Sequence, residues 1–230
     1  MGQPSSPRSQ LRIVIVEDHV LFAESLELAL LVEGYDVRRV LVPERSVTPN
    51  ALLSTIARHQ PRVVLLDLDL GDFGDGVLLI PALARTGADV VVVTGTVDRA
   101  RWGEALRYGA RKVSSKSRPL NEILATVRRI NHGLPVMDRE EREELLALWQ
   151  DQRDERDDVN ARLGRLTPRE RQVLGHLMRG RAVHDIAALG VVSEATVRTQ
   201  VKSILAKLEV SSQLAAVGMA HHVEWRPPGS

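Results

Sequence analysis

Residues 63–70 read Val-Val-Leu-Leu-Asp-Leu-Asp-Leu, an apolar run that stops at Asp67 and gives way to a loop rich in Gly and Asp (Gly71, Asp72, Gly74, Asp75, Gly76). The run reads as a buried strand. A buried strand that ends in a carboxylate puts it at the mouth of an α/β sheet, where such folds hold their ligands. A strand-end Asp is also an ordinary turn former or helix cap. What the rest of the chain brings beside Asp67 decides between these readings.

Upstream, residues 12–16 (Arg-Ile-Val-Ile-Val) form a β-branched run, a second buried strand, ending at Glu17-Asp18. His19 to Val32 carries Leu21, Phe22, Leu26, Ala29 and Leu30 in a helical stripe, and Gly34 ends it. A strand over 36–42 and a helix over 50–59 follow. Downstream the pattern predicts a helix near 76–85, a strand over 88–94, a helix over 98–108, a short strand over 111–115 and a helix over 119–132. Five strands alternating with five helices specify a doubly wound parallel sheet.

The chain has 230 residues, enough for one large domain or two ordinary ones. Its aromatic content is only 3% against 43% hydrophobic, so the core is aliphatic. No cysteine is present, which excludes disulfides, thiolate metal sites and cysteine nucleophiles. The first ten residues lack the apolar core of a signal peptide and read as a flexible N-terminus. No apolar run is long enough to span a bilayer, and a cytoplasmic protein is expected. Residues 136–164 hold 5 Arg against 10 Asp or Glu, a net −5, whereas 165–222 hold 8 Lys or Arg against 4 acids, a net +4. An acidic connector before a basic unit predicts two domains, the second facing a polyanion.

The C-terminal ends of parallel strands share one edge of the sheet. Glu17, Asp18, Asp67, Thr94 and Lys116 can therefore converge. Several carboxylates in one pocket repel unless a cation sits among them, and Mg²⁺ with oxygen ligands suits such a set. His19 is read as opening the first helix, because oxygen-rich metal selection disfavours imidazole. The hydroxyl and ammonium beside the acids suit the oxygens of a phosphoryl group.

These residues, Glu17-Asp18, Leu65-Leu66-Asp67-Leu68, Thr94 and Lys116-Ser117-Arg118-Pro119, resemble the receiver domain of two-component response regulators over about residues 11–133. The resemblance implies a flavodoxin-like five-stranded sheet with Asp67 as phosphoacceptor. It implies that Glu17, Asp18, Asp67 and the backbone carbonyl of Asp69 hold Mg²⁺, and that Thr94 and Lys116 meet the phosphoryl oxygens. The chain departs from the family at Gly71, where Pro is usual, at Gly95, where Ala is usual, and at Val113, where a switch aromatic is common.

Residues 134–164 read as a charged, helical linker, with Leu145, Leu148 and Trp149 as a thin stripe for a dimer or interdomain contact. Thr167, Pro168 and Glu170 then form a capping box that opens a helix. A short helix over 182–189, a turn at Gly190-Val191-Val192, a helix over 194–208 and a last helix near 212–222 follow. Two helices joined by a tight turn, the second basic, make a helix-turn-helix. The residues offered to DNA are Arg198, Thr199, Gln200, Lys202, Ser203 and Lys207, while Glu170, Ile186, Val197 and Leu205 are read as structural. The run from Leu166 to Val210 looks very like the four-helix DNA-binding domain of the LuxR type, over about 165–222. Joined to a receiver, it resembles the NarL/FixJ class. Gln200, Gly190 and Val183-His184 depart from the usual His, Leu and Asn-Lys. Residues 223–230 read as a tail.

The expected function is a DNA-binding transcriptional regulator, not an enzyme, phosphorylated at Asp67 by a sensor histidine kinase and acting as a homodimer on double-stranded DNA. An atypical regulator that binds DNA without phosphorylation control is the alternative. Asp67-Leu68-Asp69 also resembles the nucleophile motif of haloacid-dehalogenase-type phosphatases, but that motif typically follows the first strand rather than the third.

Overall fold

The computed structural model describes residues 11–42 and 48–227. The expectation of a flexible N-terminus falls outside them. The chain divides into two compact units, 1–150 and 151–230.

The first unit is a five-stranded parallel sheet in the order β2-β1-β3-β4-β5. Its strands are β1 (Arg12–Val16), β2 (Asp36–Val40), β3 (Val63–Leu66), β4 (Asp89–Thr94) and β5 (Lys112–Ser115). Strands β3 and β4 are buried along their whole length, as expected for central strands covered on both faces. Alternation divides the core. Val14, Val16, Val64, Leu66, Val90 and Val92 face one side, under α2 (Pro49–Arg58), α3 (Ile80–Arg85) and α4 (Arg99–Arg107). Ile13, Ile15, Val63, Leu65, Val91 and Val93 face the other, under α1 (Val20–Val32) and α5 (Leu120–Asn131). The chain leaves β1 toward β2 and returns to place β3 on β1's other side. That reversal opens a crevice at the carboxyl ends of β1 and β3.

Two elements differ from the sequence reading. The helix near 76–85 is α-helical only from Ile80, after a 3-10 turn over Gly76–Leu79. Pro81 has no N–H and fits only a helix's first turn, which sets that start. In α1 the buried residues are Ala23, Leu26 and Leu30, while Leu21 is 80% exposed. Of the expected stripe only Leu26 and Leu30 are buried; the helix is apolar nearly all round, so the periodicity did not define its inner face.

The second unit is helical: α7 (Pro168–Met178), α8 (Val183–Gly190), α9 (Glu194–Leu208) and α10 (Gln213–His222). Helix α6 (Arg139–Gly164) precedes it, and Val159 and Leu163 join its core. The capping box forms as read, with the Glu170 amide donating to Thr167 Oγ1 and the Thr167 amide to Glu170 Oε2. The end of α8 is displaced by one residue: Gly190 is the last helical position and Val191 takes the left-handed conformation at φ 49°. A Cβ at 190 would strike the Arg169 guanidinium. Glycine here therefore leaves room for a cation at the negative end of α8. Trp225 packs partly buried against the helical core, and its amide donates to Ala220 O. Pro227 lies against Gly175. Residues 225–227 thus belong to the fold rather than to a tail.

Among the described residues, no helix is long and apolar enough to cross a membrane.

Candidate functional site

Asp67 follows β3 directly, and its amide donates to Val16 O, which ties the two strand ends together. The residue is 2% exposed. Glu17, one residue past β1, is 7% exposed, and Asp18 beside it is half-buried. Lys116 reaches in from the end of β5. Its Nζ donates to Asp67 Oδ2 at 2.6 Å and to Glu17 Oε1 at 2.7 Å, and it lies 5.2 Å over the Phe22 ring. Burial opposes the charge on Lys116, but the bonds to Asp67 and Glu17 outweigh it and hold its pKa above the ordinary value. Burial is also the largest influence on Glu17 and pushes its carboxyl up against the Lys116 bond.

One buried atom is left over. Asp67 Oδ1 has no hydrogen-bond partner in the protein. A buried carboxylate oxygen without a partner is costly, so this atom is the candidate contact for a ligand. Ligand atoms of Glu17, Asp18, His19 and Asp67 lie within 4.8 Å of one another. Crowded, largely buried oxygens of this kind fit a hard divalent cation. The His19 imidazole leans onto Asp18 Oδ1 at 2.9 Å, and no side-chain bond caps α1. Asp69 and Asp75 form an isolated antiparallel bridge whose flanking bonds use Leu68 O and Leu70 N. The Asp69 carbonyl is therefore not consumed by that bridge.

Thr94, at the end of β4, is 1% exposed, and its Oγ1 accepts from the Thr96 amide. Thr96 O in turn accepts from Trp102 Nε1 at 3.0 Å. The five expected residues thus meet at one sheet edge. Asp67, Asp69, Thr94 and Lys116 line a cavity of ≈ 570 Å³, together with Asp75 and Arg101, two residues the sequence reading did not single out. Gly71 has φ +56°, a conformation closed to the family's usual Pro, and a Cβ there would lie 3.0 Å from Asp18 Oδ2. Val113 is buried in the core under α4, and Ser114 is buried beside it.

The stripe on α6 is not free. Leu145 is 0% exposed and belongs to the sheet unit's core. A Cβ on Gly103 of α4 would strike Leu145 O and approach Trp149 Cβ. Arg142 donates to Leu106 O and Ala110 O, so a cation closes the end of α4. Arg107 sits 6.0 Å over the Trp149 ring. Leu145 and Trp149 therefore pack on α4 of their own sheet unit. Leu148 stays exposed. The signal lay in Gly103, whose missing side chain makes the room.

Of the six residues offered to DNA, three face outward, two turn inward and Gln200 is half-buried. Arg198, Thr199 and Lys202 face outward. Arg198 pairs with Glu194 one turn away, and Thr199 Oγ1 donates back to Ala195 O. Ser203 and Lys207 turn inward. Ser203 Oγ donates to Glu170 Oε1 at 2.7 Å, and Lys207 Nζ donates to both Glu170 oxygens at 2.9 and 2.7 Å. These two hold α9 to the capping residue of α7, which corrects their reading as exposed. Gln200 is half-buried with its Oε1 unpartnered.

Comparison with known proteins adds to this geometry. The response regulator receiver domain family matches residues 13–128, and the luxR family of bacterial regulatory proteins matches 164–220. The uncharacterized transcriptional regulatory protein YhcZ of Bacillus subtilis is 28% identical, covering 90% of this chain and 93% of that protein. The probable transcriptional regulatory protein NarL of Mycobacterium tuberculosis is 29% identical, over 94% and 96%. In structure, the RcsB response regulator of Salmonella typhimurium superposes with a TM-score of 0.50 at 21% identity, over 92% of this chain and all of that one.

Proposed function

The chain belongs to the response regulators, with a receiver domain followed by a LuxR-type DNA-binding domain, and from that membership we propose a phosphorylation-controlled transcriptional regulator whose switch is Asp67. The observation that carries the reading is the buried Asp67 carboxylate, one oxygen held by Lys116 and the other without a partner. A sensor histidine kinase supplies the phosphoryl group. An Asp67 oxygen forms the new P–O bond as the P–N bond of the kinase phosphohistidine breaks, its electron pair returning to the imidazole. This chemistry needs charge neutralisation rather than a strong base. Glu17, Asp18, Asp67 and the Asp69 carbonyl would hold Mg²⁺, which would supply part of that neutralisation. Lys116, already bonded to Asp67 and Glu17, supplies the rest, and the Thr94 hydroxyl takes a phosphoryl oxygen.

Helix α9 enters the major groove, with Arg198, Thr199 and Lys202 toward DNA and Gln200 at the edge of the contact. A single domain of this size meets few phosphates, so a homodimer on two half-sites is expected, in the cytoplasm. The test is a small acyl-phosphate donor with Mg²⁺. A phosphoryl mass increment should appear on the chain, vanish in Asp67→Asn, and tighten DNA binding.

One observation favours a second reading. Val113 fills the place where the family commonly has an aromatic switch, and it is buried in the core. If DNA affinity is unchanged by full phosphorylation, the chain binds DNA independently of it.

A further inference from the structure

The phosphoacceptor cavity holds an ion pair that the proposed chemistry does not use. Arg101 Nη2 meets Asp75 Oδ1 at 2.7 Å, and both residues line the cavity with Asp67, Thr94 and Lys116. Their side chains are 35% and 33% exposed. A pair this wet adds little to stability, so its place at the mouth matters more than its strength.

The two partners are not equally mobile. Asp75 is fixed. Its Oδ1 also accepts from the Val77 amide at 2.9 Å, and the Gly76 amide donates to Leu68 O at 2.8 Å. A Cβ on Gly76 would collide with Asp67 O, so the loop is wound tightly against the phosphoacceptor. Arg101 instead stands on the first turn of α4, its backbone fixed by the Asp98 cap and its side chain long and partly solvated. The anion stays where it is and the cation can swing.

Charge gives that swing a direction. Lys116 is already bonded to Glu17 and Asp67. An arriving phosphoryl group brings new negative charge to a cavity whose lining includes Asp67, Asp69 and Asp75. Among the described residues, the only cation lining this cavity besides Lys116 and His19 is Arg101, and a guanidinium suits phosphoryl oxygens in a paired, planar geometry. We propose that Arg101 is a second cationic ligand for the incoming phosphoryl group, held at the mouth by Asp75 until a donor exchanges for that carboxylate. The proposal rests on Asp67 being the phosphoacceptor.

The test measures the rate at which acetyl phosphate with Mg²⁺ phosphorylates the full chain, with Asp67→Asn as the blank. Arg101→Ala should slow the reaction about tenfold and flatten its salt dependence, and Arg101→Lys should restore much of the rate. Asp75→Asn keeps the cap and frees the guanidinium, so it should accelerate the reaction. The double variant with Arg101→Ala should match Arg101→Ala alone. A rate for Arg101→Ala within twofold of wild type overturns the proposal and leaves Asp67 as phosphoacceptor. So does a slowing by Asp75→Asn, which would make the pair a structural tie. If the wild-type chain takes up no more phosphoryl than Asp67→Asn, the phosphoacceptor reading itself falls, and the role of Arg101 with it.

Discussion

Glu170 shows how one side chain links two helices. It caps α7 through Thr167 and receives Ser203 and Lys207 from α9 while only 6% exposed. Burial raises its pKa, but the bonds from Lys207, Thr167 and Ser203 outweigh burial and lower it to about 2 from an ordinary 4.5. The folded unit thus binds this proton less readily than the unfolded chain. Its contribution is complete above pH 4.5 and is lost as the pH falls toward 2. Glu170→Gln should cost on the order of 2 kcal/mol at neutral pH and flatten the acid limb of the stability curve. Hydrogen exchange of α7 and α9 amides between pH 6 and about 3 would measure both effects. Equal acid sensitivity in variant and wild type would remove Glu170 from this role.

The sequence of helix α6 reads as a charged linker because it is dense in charge and its apolar stripe is short. That reading could not see Gly103, more than forty positions upstream, whose bare backbone accepts the stripe. Local signals such as the capping box or the apolar run into Asp67 carry their meaning within a few residues, and those were legible. Contacts between distant helices were not. The division of α9 is a milder case. Its bounds came from Ser193 and the apolar period, but the side facing Glu170 depends on where α7 lies. For α6, Gly103→Val should push Leu145 and Trp149 off α4. Leu145→Ala should destabilise the receiver unit by about 2–4 kcal/mol. Both should raise exchange of the amides of residues 139–150, and unchanged protection in Gly103→Val would refute this packing.

At the scale of the whole molecule, the basic residues of the second unit separate by task. Arg198 and Lys202 face outward, whereas Lys207 is bound to Glu170. Arg198→Ala and Lys202→Ala should each weaken DNA binding and lower the slope of log affinity against log salt by about 1, with the fold unchanged. Lys207→Ala should instead lower the melting temperature of the helical unit and leave the salt slope near its wild-type value. A salt titration beside a thermal melt for each variant distinguishes the two. Sequence alone placed the net positive charge on this unit. Which cation is left facing outward and which meets a carboxylate depends on helix packing.

The course of α6 also bears on how the molecule is to be dissected. The first unit ends at Gln150, inside a helix that runs on to Gly164. Leu145 fills the core of the first unit, and Val159 and Leu163 fill the core of the second. Cutting out 134–164 as a spacer would open a void in both halves at once. Fragments that meet at 150/151 keep every one of these side chains in the body it seals.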